Sequence, residues 1–232
     1  MKSRKRLVVL TGAGISAESG INTFRDSGGL WEQYDVMEVA SIEGWRKNPQ
    51  LVQRFYNERR KQLTEVEPNV AHRILAELEK DFEVTVVTQN VDNLHERGGS
   101  TNIIHLHGEL TKARSSINPN LIVDVGYSPI EWGEKAPDGS QLRPHIVWFG
   151  EAVPLIEMAA ETVSLADILL IIGTSLNVYP AAGLVGYANR NASIYLIDPN
   201  EINYQGRKIT FIREKASVGM EIFKNSIIPE LL

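Results

Sequence analysis

The 232-residue sequence contains no cysteine, which excludes both a disulfide framework and a thiolate-ligated metal centre. It also lacks a strong charge of either sign: 24 Lys and Arg stand against 29 Asp and Glu, for a formal net charge of −5. That balance is not the basic footprint of a nucleic-acid binder. No apolar run approaches the roughly 20 residues needed to cross a bilayer. The basic first six residues lead straight into an apolar run, without the cleavage region of a secretory signal. Neither a membrane nor a specific nucleic acid is therefore expected as a partner, and a reducing, cytoplasmic compartment suits the chain. Its length suffices for a core that buries roughly 70 % of the unfolded surface.

What is present is a repeated strand-to-turn pattern. Leu7, Val8, Val9 and Leu10 form a continuous apolar run, as in a parallel strand covered on both faces. Gly12 and Gly14 follow, permitting a tight turn and close approach of a ligand to the backbone. Amides opening the next helix can then face a pyrophosphate. The spacing of Gly12, Gly14 and Ala17 fits a loose dinucleotide fingerprint, although a glycine turn between strand and helix also occurs with no ligand. Further strand patterns cover residues 82–88, 103–108, 167–172, 193–198 and 209–212, alternating with helical ones after Asn69, over 154–164, over 180–189 and over 217–228 up to Pro229. This alternation predicts an α/β protein with a doubly wound parallel, Rossmann-like sheet. Between residues 111 and 143 the composition shifts to short apolar pieces cut by proline and glycine, the mark of a smaller inserted module with short strands near 121–125.

Polar residues gather where the strands end, the edge at which an open parallel sheet presents ligand contacts. Gln89, Asn90 and Asp92 follow one strand, His105 and His107 end another, Gly173, Thr174 and Ser175 a third, and Asn200 a fourth. Asp92 is also a good helix cap, and a histidine at a strand end is either a general base or a buried hydrogen-bonded group. Asn48 and Pro49 open a helix running to Leu63, on which Val52, Phe55, Tyr56, Arg59 and Leu63 share a stripe. Arg59 there either snorkels to solvent or, with Tyr56 one turn away, grips a carboxylate.

Taken in order, Gly12 to Gly20, Phe24 with Arg25 and Asp26, Gln89 to Asp92, His107 with Gly108, Phe149 to Glu151, and Gly173 to Ser175 make the chain resemble a sirtuin over essentially its whole length. The resemblance implies an NAD-dependent protein-lysine deacylase that consumes NAD as a co-substrate and acts on acylated-lysine proteins or peptides. It implies one catalytic domain over 1–232, with small-module segments at approximately 22–70 and 109–143. By resemblance, Gly12, Ala13, Gly14, Phe24, Arg25, Asp26, Gln89, Asn90, Asp92, Gly173, Thr174, Ser175 and Asn200 contact the cofactor. His107 is the general base, Asn90 orders the ribose and a nearby water, and Val147, Gly150 and Glu151 line the acyl-lysine channel. The implied reaction displaces nicotinamide by the acyl oxygen, and His107 then takes a ribose hydroxyl proton on the way to O-acyl-ADP-ribose.

Ala40, Tyr56 and Arg59 match the members that remove malonyl, succinyl or glutaryl groups, with acetyl removal as a lesser activity. The chain departs from most sirtuins in lacking four zinc-binding cysteines; Ser115 and Ser116 stand near the expected first pair, so no zinc is expected, and the module should pack around Leu121, Ile122, Val123 and Trp132. Rival readings are an ADP-ribosyltransferase or NAD hydrolase, and a non-catalytic NAD-sensing interaction protein.

Overall fold

A computed structural model describes residues 4–21, 34–176, 179–202, 204 and 206–232. Its main sheet has six parallel strands: β1 (Arg6–Thr11), β2 (Glu83–Thr88), β3 (Ile103–His105), β7 (Ile168–Ile172), β8 (Ser193–Ile197) and β9 (Thr210–Ile212). Their order is β3-β2-β1-β7-β8-β9, the doubly wound arrangement expected from the alternation. The central runs are apolar because both faces are covered. Leu7 and Val9 meet α5 (Val70–Leu78) and α8 (Ala216–Ile222) on one side, while Val8 and Leu10 join Ala159 and Val163 of α7 (Ile156–Ser164) on the other. The order reverses between β1 and β7, so the crevice beyond the carboxyl ends of those strands is the topological switch point.

Between β3 and β7 the chain builds a separate antiparallel sheet, β5-β4-β6, from β4 (Gly108–Ser115), β5 (Ile122–Asp124) and β6 (Leu142–Ile146). This is the inserted module; Val123 packs against its core as expected, but two other expected core residues do not. Ile122 and Trp132 are exposed, and the buried residues are Ala113, Ile130, Ala136 and Leu142. The ring of Trp132 lies edge-on to Trp45, 6.4 Å between centroids. Ser115 gathers the end of β4: its hydroxyl donates to Asp138 (2.6 Å), lies 2.9 Å from the Ser140 hydroxyl, and accepts from the amides of Ile117 and Asn118. A hydrogen-bonded knot thus ties β4 to the turn before β6.

Short helices complete the chain: α1 (Gly14–Ala17), α2 (Val36–Val39), α3 (Ile42–Lys47), α4 (Pro49–Gln62) and α6 (Leu94–Gly98). Among the described residues, no helix is long and apolar enough to cross a membrane. Asn48 and Asn69 accept from the amides of Leu51 and Ala71 and so cap α4 and α5 as their sequences suggest. On α4 the arginine that is fully buried is Arg60, not Arg59. Its Nε donates to the Leu110 carbonyl and its Nη1 to Asn57, tying α4 to β4. Two expectations for the second half of the chain also change. The expected helix over 180–189 is a 3-10 helix, Ala181–Tyr187. Pro229 does not end the terminal helix: a π-turn at Phe223–Ile227 intervenes, and the proline sits in the first turn of α9 (Ile228–Leu231), where its missing amide is not needed.

Candidate active site

Three strand ends meet at the switch point. Gly14 donates to the Gly173 carbonyl (2.9 Å), Gly12 to Ile172 (3.0 Å) and Gln89 to Thr11 (2.9 Å). A Cβ on Gly14 would lie 2.6 Å from the Cα of Gly173, and one on Gly12 would lie 2.7 Å from both Gly173 and Thr174. These glycines are thus required by the contact between two loops, independently of any ligand. The helix after the turn, α1, is a single turn, with Ala13 at its cap.

Residues 89–92 are held by the first loop. Asn90 spends both side-chain protons on it, donating Nδ2 to the Gly12 carbonyl (3.1 Å) and the Ser16 hydroxyl (3.2 Å), which leaves Oδ1 for other partners. Ser16 donates in turn to Asp92 (3.0 Å), whose other oxygen accepts from the Leu94 amide (3.1 Å). Burial raises the Asp92 pKa, opposed in decreasing order by Leu94, Ser16, His105 and Arg59. Ser16 belongs to the glycine motif, yet the sequence alone assigns it no role; its signal is a buried serine beside two polar strand-end groups. Gln89 reaches Thr174 (3.3 Å), while Asn200 donates to Asp198 at the end of the neighbouring β8.

His107 lies in the turn after β3, so it does not share a strand face with His105. Its Nδ1 donates to the Gln89 carbonyl (3.0 Å), which places the lone pair on Nε2. Burial lowers its pKa, and the Gln89 bond only partly opposes this, so the ring is neutral near pH 7 and able to accept a proton. His105 is occupied elsewhere, by Glu96 (2.6 Å) and the Asn90 carbonyl. Among the described residues, the ligand atoms of Glu96, His105 and Glu109 lie within 4.8 Å of one another, but Glu96 already pairs with His105 and Glu109 with Lys112. Neither His107 nor His145 belongs to that group.

Main-chain bonds bring the expected substrate residues alongside. Val147 donates to the His107 carbonyl (2.9 Å), Phe149 to Ala40 (2.9 Å), and Ile42 to Phe149 (3.0 Å). Tyr56, on α4, is buried with its ring 6.0 Å from Trp148, and burial pushes its pKa up to about 12 despite the opposing charge of Arg59. Arg59 is partly buried, which lowers its pKa; Tyr56 and then Asp92 are the groups that oppose this. Glu151 is tied into the scaffold, its carboxylate accepting from Arg143 (2.8 Å), Arg114 (3.1 Å) and the Trp148 amide (2.9 Å). Arg143 also lies over the Trp148 ring, 3.5 Å from its centroid. Gly150 has a positive φ of 88°, and a Cβ there would meet Ile42 at 2.9 Å. Phe24, Arg25 and Asp26 lie outside the described residues.

The chemistry of this set suits a dinucleotide and a polar leaving group: glycine loops at a switch point, a buried acid flanked by hydroxyl and amide donors, and a neutral imidazole nearby. Comparison with known proteins agrees. Residues 12–180 match the Sir2 family. An NAD-dependent protein deacylase of Bacteroides thetaiotaomicron is 60% identical over 231 residues, covering 97% of this chain and 99% of the relative. One from Helicobacter pylori is 55% identical over 229 residues, covering 98% of each. A solved complex of a Sir2 homologue with NAD superposes with a TM-score of 0.86 at 38% identity, over 99% of this chain and 91% of the other. A Sir2 complex with a p53 peptide and NAD+ superposes with a TM-score of 0.78 at 29% identity, over 98% of this chain and 95% of the other.

Proposed function

The chain belongs to the Sir2 family of NAD-dependent protein deacylases, and from that premise we propose that it preferentially removes acidic acyl groups, succinyl or malonyl, from lysine. It is an enzyme that uses NAD as a co-substrate and acylated-lysine peptides as acceptors. The observation that carries the acidic preference is the pairing of Tyr56 and Arg59 on one turn of α4, against Trp148 and beside a loop bonded to His107. A guanidinium and a phenol in a partly desolvated site form charge-assisted bonds to a carboxylate, which a neutral acetyl group cannot exploit.

The bound dinucleotide supplies an activated anomeric carbon and a leaving group, nicotinamide. Gly12, Ala13, Gly14, Gly173, Thr174, Ser175 and Asn200, together with Phe24, Arg25 and Asp26, are assigned to holding it. Gln89 would meet its ribose hydroxyls, Asn90 would offer Oδ1 to ribose and water, and Asp92 would hold the carboxamide. His107 takes a ribose hydroxyl proton at Nε2. Ala40, Val147 and Gly150 line the acyl-lysine path, and Glu151 serves it by holding the backbone of its loop. The segments at approximately 22–70 and 109–143 are assigned to the small module.

Incubation with NAD and matched acetyl-, malonyl-, succinyl- and glutaryl-lysine peptides, followed by mass spectrometry, tests the preference. One of the acidic peptides should be deacylated fastest; faster removal of acetyl would reject the acidic pocket while keeping the enzyme class.

A further inference from the structure

His95 is buried, titratable and unused by the chemistry above. It sits in α6, the helix that begins just after Asp92, and its Nε2 lies 3.0 Å from the hydroxyl of Thr11, the last residue of β1. Thr11 is paired in register with Thr88, the last residue of β2, and donates to its hydroxyl (2.8 Å). Thr88 in turn accepts from the Asn90 amide (3.0 Å). Both threonines are fully buried at the ends of central strands, where a doubly covered sheet would favour valine or leucine. Because the Thr11 proton goes to Thr88, Thr11 accepts from His95. That fixes the imidazole as the Nε2–H tautomer with a bare Nδ1, which has no hydrogen-bond partner among the described residues.

The neighbours keep it so. The His72 ring on α5 packs edge-on against it, 4.9 Å between centroids, and neither His72 nitrogen has a partner among the described residues. His105, on β3, is the other titratable neighbour. Residues 89–92 are therefore pinned at two ends: at Thr88 directly, and at α6, where Leu94 caps onto Asp92 and His95 reaches back to the end of β1.

We infer that His95 is a positioning residue: through the Thr11–Thr88 hydroxyl pair it fixes residues 89–92, and so the placement of Asn90 and Asp92 toward the dinucleotide. The effect on rate rests on the deacylase reading, whereas the placement of Asn90 does not. His95→Leu removes the donor, Thr11→Val removes the acceptor without changing shape, and His95→Gln can return an N–H donor.

Two readouts separate the possibilities. By amide hydrogen exchange, His95→Leu should speed exchange at Asn90 at least tenfold while leaving Val9 and Val86, in mid-strand, within twofold, and His95→Gln should restore most of the protection. In turnover, His95→Leu and Thr11→Val should each lower kcat by tenfold or more with the KM for peptide within twofold, and the double variant should be no slower than the worse single one. A folded His95→Leu protein with Asn90 exchange unchanged, or with exchange raised equally along β1 and β2, overturns the inference. So do additive effects in the double variant. A wild-type protein without deacylase activity would overturn the functional reading instead, and the exchange data would still decide the role of His95. Should His95→Leu fail to fold, Thr11→Val carries the same exchange test.

Discussion

Replacing His107 by Ala should lower NAD-dependent deacylation by roughly 10²- to 10⁴-fold, the usual contribution of a general base, while NAD affinity stays within a few fold. The asymmetry follows from the geometry. His107 is held to the loop through the main-chain carbonyl of Gln89, leaving the Gln89 side chain, the part assigned to the dinucleotide, untouched, so its loss removes a proton acceptor and little binding surface. Its pH signature is fixed by the same surroundings. Burial holds its pKa below the ordinary 6.5, so the neutral base persists to lower pH than a free imidazole would. The rate should be flat through pH 7 and fall only as the pH drops through that lowered value. A variant with unchanged turnover would contradict the assignment, and so would an acid limb lying above pH 6.5 in the wild-type rate.

Arg59→Met should shift selectivity rather than abolish activity. A hydrogen bond to a charged group contributes about 1.5–3 kcal/mol, so losing the guanidinium should reduce kcat/KM for a succinyl peptide by roughly 10- to 150-fold relative to acetyl, at tenfold per 1.4 kcal/mol. Methionine keeps an unbranched apolar stem but gives up the guanidinium's place over the Phe55 ring, 5.9 Å from its centroid. Arg59 also acts on Asp92, so a modest fall in acetyl turnover is expected as well. An unchanged succinyl-to-acetyl ratio would sink the proposed recognition.

The sheet is legible in the sequence because doubly covered strands announce themselves. Residues 7–10 and 168–172 are unbroken apolar runs, and no surface element would carry them. The ligand edge is legible for the same reason, since polar residues stand where those runs stop. What escapes are choices between near-equivalent positions. Arg59 and Arg60 straddle one helical stripe, and 100° per residue cannot say which is hidden; the partner that decides, the Leu110 carbonyl, arrives from another element. Ile122 and Trp132 look like core residues, but a three-stranded sheet has little interior, and smaller residues such as Ala113 and Ala136 fill it. Ser16, Thr11 and Thr88 carry no sequence signal beyond being polar among apolar neighbours, and their roles emerge only when three strand ends converge. Pro229 reads as a stop because proline breaks helix interiors, whereas the π-turn before it places it in a first turn.

The deacylase chemistry is read most directly in a single observable, the stoichiometry of products from NAD and a succinyl-lysine peptide, followed by mass spectrometry over time. Each lysine unmasked should be matched by one nicotinamide and one O-succinyl-ADP-ribose. Nicotinamide released with free ADP-ribose while the peptide stays acylated, or ADP-ribose transferred onto protein without lysine release, would contradict that chemistry.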